Sequence, residues 1–173
     1  MFQTFQKYQT YKMKNDEKIK HEIIKNFGVA YKAFGLSKLM GHIIALLIYS
    51  QEPISLEEVA TSLHRSKGPV SQILRRLRDR GLIRRVWQPT SRKDFYEIQP
   101  EVFEIAYRNN LEQVRSNTRL ARQLKLTVAK DKTGNHDALK LRLVEMEMFY
   151  EIMEKHHENF LKEWSKARTK IYK

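Results

Sequence analysis

The chain has 173 residues, with 33 Lys and Arg against 20 Asp and Glu, which gives a formal net charge of +13. This length allows one domain with a sizeable core plus accessory helices, and is short for two independent globular domains. The charge favours a polyanionic partner, either nucleic acid or an anionic membrane surface. The absence of cysteine excludes disulfides, thiolate catalysis and Cys-containing zinc sites.

The sequence offers no candidate for a membrane-spanning helix. Its longest apolar stretch, Leu39 to Tyr49, is interrupted by Gly41 and His42 and is shorter than the roughly 18 residues that a span needs. The first residues also lack the basic, apolar and small-residue regions of a secretory signal. We therefore expect a cytoplasmic, nucleoid-associated protein without a membrane partner.

The N-terminal third contains two predicted helices. Residues 1–15 show no clean period and are interpreted as a flexible arm. From residue 16 to residue 35, an apolar stripe at spacings of four and three predicts an amphipathic helix for packing or dimerisation. The next helix, from Leu36 to Ser50, is apolar on most sides and should be buried.

Two short helices and a hairpin follow. Ser55 and Glu58 form a predicted capping box that starts a helix through Leu63. Ser66 can cap a second helix that runs to Arg80. Residues 82–88 and 93–98 are rich in β-formers around a Pro-Thr-Ser-Arg turn, which predicts a hairpin. The series predicts a winged helix-turn-helix over 36–99 in a mainly α (α+β) protein, with dimerisation helices at both termini.

Residues 100–173 are predicted to be two helices, one over 101–128 and one after a loop at 129–136. In the last helix, apolar residues alternate spacings of four and three, as in helix-on-helix packing. These residues could form the interface of a dimer (a dimer seam), or they could pack on the N-terminal helix of the same chain. We favour the dimer interface. The seam residues are Leu139, Leu143, Met146, Tyr150, Met153, Phe160 and Trp164, with His157 between them.

The charge is concentrated in the segment 64–94, which holds ten Lys or Arg against Asp79 and Asp94. On the second short helix, the helical period separates an apolar face from an outward face that carries Ser71, Gln72 and Arg75. Gln can read adenine and Arg can read guanine in the major groove. We predict that these three residues read DNA bases.

Other residues of the segment are predicted to bind the DNA backbone. The amides that open the second short helix could hold a phosphate, and Arg92 at the hairpin tip could reach the minor groove. The predicted phosphate and wing contacts are Ser66, Lys67, Gly68, Arg84, Arg85, Arg92 and Lys93. The positive charge of the helix and hairpin could also belong to an ordinary solvent-exposed surface with no ligand. Against this alternative, the charge, the helix cap, the helix pair and the hairpin occur in the order and at the spacing of a winged helix-turn-helix.

Several strings resemble a known family. They are Gly-Leu-Ser-Lys at 35–38, Glu-Pro-Ile-Ser-Leu-Glu-Glu-Val-Ala at 52–60, Ser-Lys-Gly at 66–68, Arg-Arg-Val-Trp at 84–87 and Arg-Lys-Asp-Phe-Tyr-Glu at 92–97. Over about residues 20–125, the chain resembles the GbsR-like branch of the MarR family of winged-helix regulators. The resemblance implies a homodimer on a partly palindromic operator, often a repressor, tuned by a small ligand that is choline in some members. The wider family's wing has Asp-x-Arg, whereas Thr90 stands two residues before Arg92, and Asp94 could supply the missing carboxylate.

A ligand site is the least determined feature. The aromatic residues Tyr31, Phe34, Tyr107 and Phe149, with Tyr150 and Trp164, could form a cage for a choline-like cation, although aromatics at helical spacing are usually core. No catalytic, phosphate-loop, dinucleotide or metal motif occurs, and the neighbouring His156 and His157 point in different directions. We expect no enzyme activity, no cofactor and no metal.

Duplex DNA is therefore the expected partner and transcription control the expected function. Two other functions remain open: a winged helix that binds proteins, and a protein that binds nucleic acid without sequence preference.

Overall fold

The structure of the chain is a computed structural model that describes residues 2–89, 91–131 and 134–171, with side chains from residue 16 onward. The chain divides into two compact units, Met1–Val102 and Phe103–Lys173. It is mainly helical with a small antiparallel sheet, which confirms the predicted fold class. None of the described helices is long and apolar enough to cross a membrane.

The first unit contains four helices and three strands. In chain order they are α1 (Phe2–Ala33), α2 (Lys38–Tyr49), β1 (Ile54–Ser55), α3 (Leu56–Ser62), α4 (Lys67–Asp79), β2 (Ile83–Val86) and β3 (Phe95–Ile98). The strands form one antiparallel sheet in the order β1-β3-β2. The β2–β3 hairpin, together with the residues between its strands, is the wing (83–98). The predicted winged helix-turn-helix is thus present.

Helix α1 begins earlier than the sequence suggests. Its backbone is helical from Phe2, where the sequence analysis expects a flexible arm over 1–15. This segment contains no Gly or Pro and is rich in Gln and Lys, so local propensity permits the helix to continue even without an apolar stripe. The side chains of residues 1–15 lie outside the described part of the chain.

The sheet contains a strand that the sequence analysis misses. Ile54 and Ser55 pair with Tyr96 and Phe95 as strand β1. The Ser55 hydroxyl also accepts a hydrogen bond from the Glu58 amide at 3.2 Å, while the Glu58 carboxylate accepts one from the Ser55 amide at 2.6 Å. The predicted capping box is therefore confirmed, and Ser55 joins the sheet to α3.

The core of this unit lies within the winged helix. Its largest fully buried side chains come from α2, α3, α4 and β2, and they are Ile43, Ile44, Leu47, Val59, Val70, Leu74, Leu77 and Ile83. Burial of so much branched apolar surface supplies the main stabilisation of the unit. The sheet and the helix pair α3–α4 are thereby held as one rigid support for the surface of α4.

Helices α1 and α2 approach each other closely at two glycines. A Cβ built on Gly41 would lie 2.5 Å from the Phe27 carbonyl oxygen, and one on Gly28 would clash with the His42 ring. Only the lack of a side chain allows these contacts. Desolvation, with Lys38 and Arg65 nearby, lowers the pKa of His42.

The helices α1, α3 and α4 end in the same way. In each, one amide bonds to a carbonyl five residues back, as in Leu36 to Tyr31 at 2.9 Å, and the preceding amide bonds three residues back. This is the Schellman motif, which requires one residue with positive φ. That residue is Gly35 after α1 and Gly81 after α4, but His64 after α3, with φ of 50°.

The second unit is a pair of helices, α5 (Val102–Lys130) and α6 (Asp137–Ile171). Leu111, Val114 and Ala121 of α5 and Leu143 and Leu161 of α6 are buried. Of the predicted loop over 129–136, residues 132 and 133 lie outside the described part.

Ion pairs join α5 to α6. Arg115 contacts Glu154 at 3.1 Å and Glu158 at 2.8 Å, and Arg122 contacts Glu147 at 3.0 Å. The hydrogen bonds that Arg115 donates to Glu112, Glu158 and Glu154 raise the pKa of its guanidinium. Exposed pairs of this kind contribute little singly, but their spacing fixes the register of the two helices.

Candidate nucleic-acid interface

Helix α4 has one buried and one exposed face, as predicted. Val70, Ile73, Leu74 and Leu77 are buried, and the intervening positions are open to solvent. Gln72 and Arg75 are exposed, and Ser71 is half-buried. Among described residues, neither Gln72 nor Arg75 has a hydrogen-bond partner, so both side chains are available to an external ligand.

At the N-terminus of α4, Ser66 occupies the predicted cap position but does not make the expected side-chain hydrogen bond. Its backbone is extended at this position (φ −70°, ψ 152°). Gly68 is exposed, and a Cβ there would meet nothing within 4 Å. The first amides of α4 and the Ser66 hydroxyl therefore stay open to an acceptor.

Lys67 is held by a carboxylate of the preceding helix. Its Nζ donates to Glu57 Oε1 at 2.9 Å, and this hydrogen bond is the main reason why the pKa of Glu57 is lowered. Lys93 of the wing also lowers the pKa values of Glu57 and Glu58. Glu57 was not expected beside the basic segment. No spacing pattern in the sequence indicates this contact, because it forms only when α3 and α4 fold together.

The two arginines of β2 are both paired within the wing. Strand register places Arg84 opposite Glu97, and the two side chains form an ion pair. Arg85 contacts Asp94 at 2.5 Å. All four side chains remain at least partly exposed, and such pairs are weak in water. DNA phosphates could therefore compete for these two arginines.

The tip of the wing differs from one expectation. The wing sequence allows Asp94 to support Arg92, but in the structure Asp94 pairs with Arg85. Arg92 and Lys93 are exposed, and neither forms an ion pair with a described residue. The Lys93 amide donates to the Ser91 hydroxyl at 3.1 Å. Thr90 lies outside the described part of the chain.

In the second unit, part of the predicted dimer seam faces α5 of the same chain. Leu143 is buried, and the Phe160 ring lies 4.3 Å from that of Tyr107. Neither intrachain packing on α5 nor a second apolar face was considered in the sequence analysis. Leu139 and Phe160 keep nearly half of their surface exposed, and Met146, Tyr150, Met153 and Trp164 are partly exposed. The role of this seam in a dimer stays a prediction.

The four aromatics proposed for a ligand cage have different surroundings. Phe34 is 81% exposed and Phe149 is 59% exposed. Tyr31 stacks on Phe27 with ring centroids 6.5 Å apart, and Tyr107 stacks on His157 at 4.7 Å. Phe149 contacts Tyr150 edge-on with ring centroids 5.4 Å apart. Three of the four rings thus contact another ring of their own unit, and the cage stays a prediction.

Comparison with known proteins gives consistent matches for the winged helix. The model of the MarR family matches residues 43–95. The putative HTH-type transcriptional regulator YvaV of Bacillus subtilis (strain 168) is 24% identical over 88 residues, which are 51% of this chain and 50% of that protein. The HTH-type transcriptional repressor OpcR of the same organism is 22% identical over 51% of this chain and 48% of its own length. The chain spans about half the length of the curated relatives it matches.

A solved structure extends the likeness to most of the chain. It is a crystal structure of a transcriptional regulator that superposes with a TM-score of 0.72 at 24% identity and covers 85% of this chain and 98% of that chain. At 24% sequence identity, this structural match shows that the two chains share a fold. The matched segment of this chain is a winged helix-turn-helix that is similar in sequence to the MarR family. The two Bacillus subtilis relatives are named as a putative HTH-type transcriptional regulator and an HTH-type transcriptional repressor.

Proposed function

We propose that the chain whose residues 43–95 match the MarR family is a sequence-specific transcription regulator of its GbsR-like branch. It binds a partly palindromic operator as a homodimer and represses transcription. A repressor role agrees with the name of one relative, the repressor OpcR. The branch and control by a choline-like ligand rest on the resemblance of the strings quoted above.

The observation that carries the proposal is the exposed face of α4. Its other face is anchored by four buried apolar residues, so the backbone beneath Gln72 and Arg75 is fixed. A side chain on a rigid helix can be presented to base edges with little loss of conformational freedom. Arg92 and Lys93 on the wing supply positive charge that anchors the backbone without reading sequence.

The homodimer is supported by the shape of α6. Besides the face that packs on α5, this helix has an outer stripe of Leu141, Val144, Met148 and Ile152, all of which are exposed. A helix that is apolar on opposite faces is normally buried on both. A second copy of the chain would cover the stripe, and a two-fold dimer matches two half-sites one helical turn apart.

The reading of bases is tested by operator selection from genomic fragments, followed by mobility-shift titrations. Gln72→Ala and Arg75→Ala should each lower the preference for the selected operator over unrelated DNA about tenfold, since one good base contact contributes about 1–3 kcal/mol of discrimination. Lys93→Ala should weaken both DNAs equally and reduce the salt dependence by about one ion. Gln123→Ala, an exposed glutamine on α5, is the matched control.

Two outcomes would contradict this assignment. If the wild-type chain selects no fragment, it is either a protein-binding module or a protein that binds nucleic acid without preference. If Gln72→Ala and Arg75→Ala weaken every duplex by the same factor, α4 does not read bases.

A further inference from the structure

We propose that Trp87 and the basic side chains beside it form a pocket for one sugar-phosphate unit of duplex DNA at the tip of the wing. The proposal rests on the proposed function, because it assumes that the wing lies against DNA. It assigns a binding role to a residue outside both the base-reading set and the predicted wing contacts.

The exposure of Trp87 is the first observation. The residue follows β2 directly, and 76% of its surface is exposed. Its ring makes no aromatic contact or hydrogen bond with a described residue. Tryptophan is largely buried on average in folded proteins, and its large apolar face gains free energy when it leaves water. The second tryptophan of the chain, Trp164, is more buried, with its indole nitrogen shielded from solvent.

The second observation is the depression in which the ring lies. It has a volume of about 530 Å³, and Val86, Trp87 and Pro89 form its apolar wall. Arg85, Arg92 and Lys93 form its cationic rim. Binding sites for small organic groups have volumes of roughly 300–1,000 Å³ and combine an apolar lining with a few polar groups. A unit with an apolar ring and an attached anion fits this division.

The charges of the rim identify the anion's position. Asp94 already occupies Arg85 at 2.5 Å, whereas Arg92 and Lys93 form no ion pair with a described residue. A phosphate would therefore bind at Arg92 and Lys93, and the carbon-bound hydrogens of the deoxyribose would pack on the indole ring. The hydrogen bond from the Lys93 amide to Ser91 holds the bend that carries these cations.

The pocket is better suited to the sugar-phosphate backbone of a duplex than to a base. Bases in a duplex are stacked, and removing one costs a few kcal/mol. Sugar and phosphate are accessible on the outside of the helix without that cost. The contact should therefore contribute affinity that is independent of sequence.

The test uses full-length protein with the selected operator and an unrelated duplex of equal length. Trp87→Ala should weaken binding to both about tenfold, the effect expected when about 55 Å² of apolar ring surface leaves water. The salt dependence should not change, because no cation is removed. Arg92→Ala should instead reduce the salt dependence by about one ion. Trp87→Phe should recover most of the affinity, and Phe103→Ala, which removes an exposed aromatic ring of α5, should have no effect.

A direct readout is quenching of tryptophan fluorescence by acrylamide. Duplex DNA should protect the wild-type protein from quenching, and this protection should be absent in Trp87→Phe. If the wild-type chain binds DNA but Trp87 stays equally quenchable, or if Trp87→Ala binds both duplexes like wild type, the pocket does not hold DNA. If Trp87→Ala weakens only single-stranded DNA, the ring stacks on bases and the duplex proposal is wrong. Failure of the wild-type chain to bind any duplex would instead overturn the proposed function.

Discussion

His64 has a backbone conformation that its residue type disfavours. It lies in the turn between α3 and α4, and its φ of 50° places it in the left-handed region. The equivalent positions after α1 and α4 are Gly35 and Gly81. A Cβ in this region crowds the following carbonyl oxygen, which costs roughly 1–2 kcal/mol. The turn that joins the two helices therefore contains a local strain that the other two helix ends avoid.

We expect His64→Gly to stabilise the protein by about 1 kcal/mol, because removal of this crowding outweighs the added freedom of the unfolded chain. For a chain of this size the melting temperature should rise by about 2–4 °C. The matched control is Gly81→Ala, which places a Cβ at the same position of the motif after α4 and should lower the melting temperature by a similar amount. A lower melting temperature for His64→Gly would mean that the imidazole makes a stabilising contact that outweighs the backbone cost.

Individual side chains were predictable from sequence where the relevant partners lie within one helical turn. The capping box of Ser55 and Glu58 and the two faces of α4 are set by local spacing, and both are present. The ion pair of Arg84 with Glu97 depends on strand register, and that of Lys67 with Glu57 depends on the packing of two helices. No local pattern encodes register or packing, because each follows from the tertiary fold.

At the scale of elements, the crossing of α1 and α2 is the most constrained contact. The Gly41 Cα faces backbone atoms of Phe27, which cannot move aside as a flexible side chain can. The stripe on α1 predicted that this helix needs a partner surface, but it did not predict a crossing through glycine. Strand β1 was missed for a related reason, since a strand of two residues shows no alternation and exists only through its pairing with β3.

Gly41→Ala should destabilise the protein by about 2 kcal/mol or more, because the added methyl group would force α1 and α2 apart. Urea denaturation at constant protein concentration measures this change. Gly68→Ala is the control with the same chemical change, and it should be neutral or slightly stabilising because the space around Gly68 is open. Equal stabilities of the two variants would show that α1 is not packed on α2 at Gly41.

At the scale of the whole molecule, the basic segment and the outer stripe of α6 lie in different units. The segment 64–94 carries the excess of positive charge, whereas the exposed outer stripe belongs to α6. A separation of this kind suits a protein that binds DNA with one region and its own copy with another. The stripe itself was not predicted, because the heptad pattern indicates a single seam on α6 and does not show that α5 covers part of it.

The double variant Met148→Asp, Ile152→Asp should be monomeric at concentrations where the wild-type chain is dimeric, because it places two carboxylates in the proposed apolar interface. Sedimentation velocity measures the assembly state, and operator affinity should fall with it, since the half-sites would be bound separately. Leu126→Asp introduces a single carboxylate at an exposed leucine of α5 and is the control for an added surface charge. Leu139→Asp probes the exposed end of the predicted seam. A dimer that survives the double variant but not Leu139→Asp would place the interface on the seam.

Under the proposed function, the ion pairs of Lys67, Arg84 and Arg85 limit how tightly the protein would hold DNA. Their carboxylate partners Glu57, Glu97 and Asp94 act as internal counterions. Because they are part of the chain, their local concentration does not fall when the salt concentration is lowered. A phosphate that takes one of these cations must displace a carboxylate that stays nearby. DNA binding would therefore be weaker than the ten basic residues of the segment suggest. A weak electrostatic affinity of this kind would let the protein dissociate quickly from nonspecific DNA, so that the choice of site would depend on the base contacts of α4.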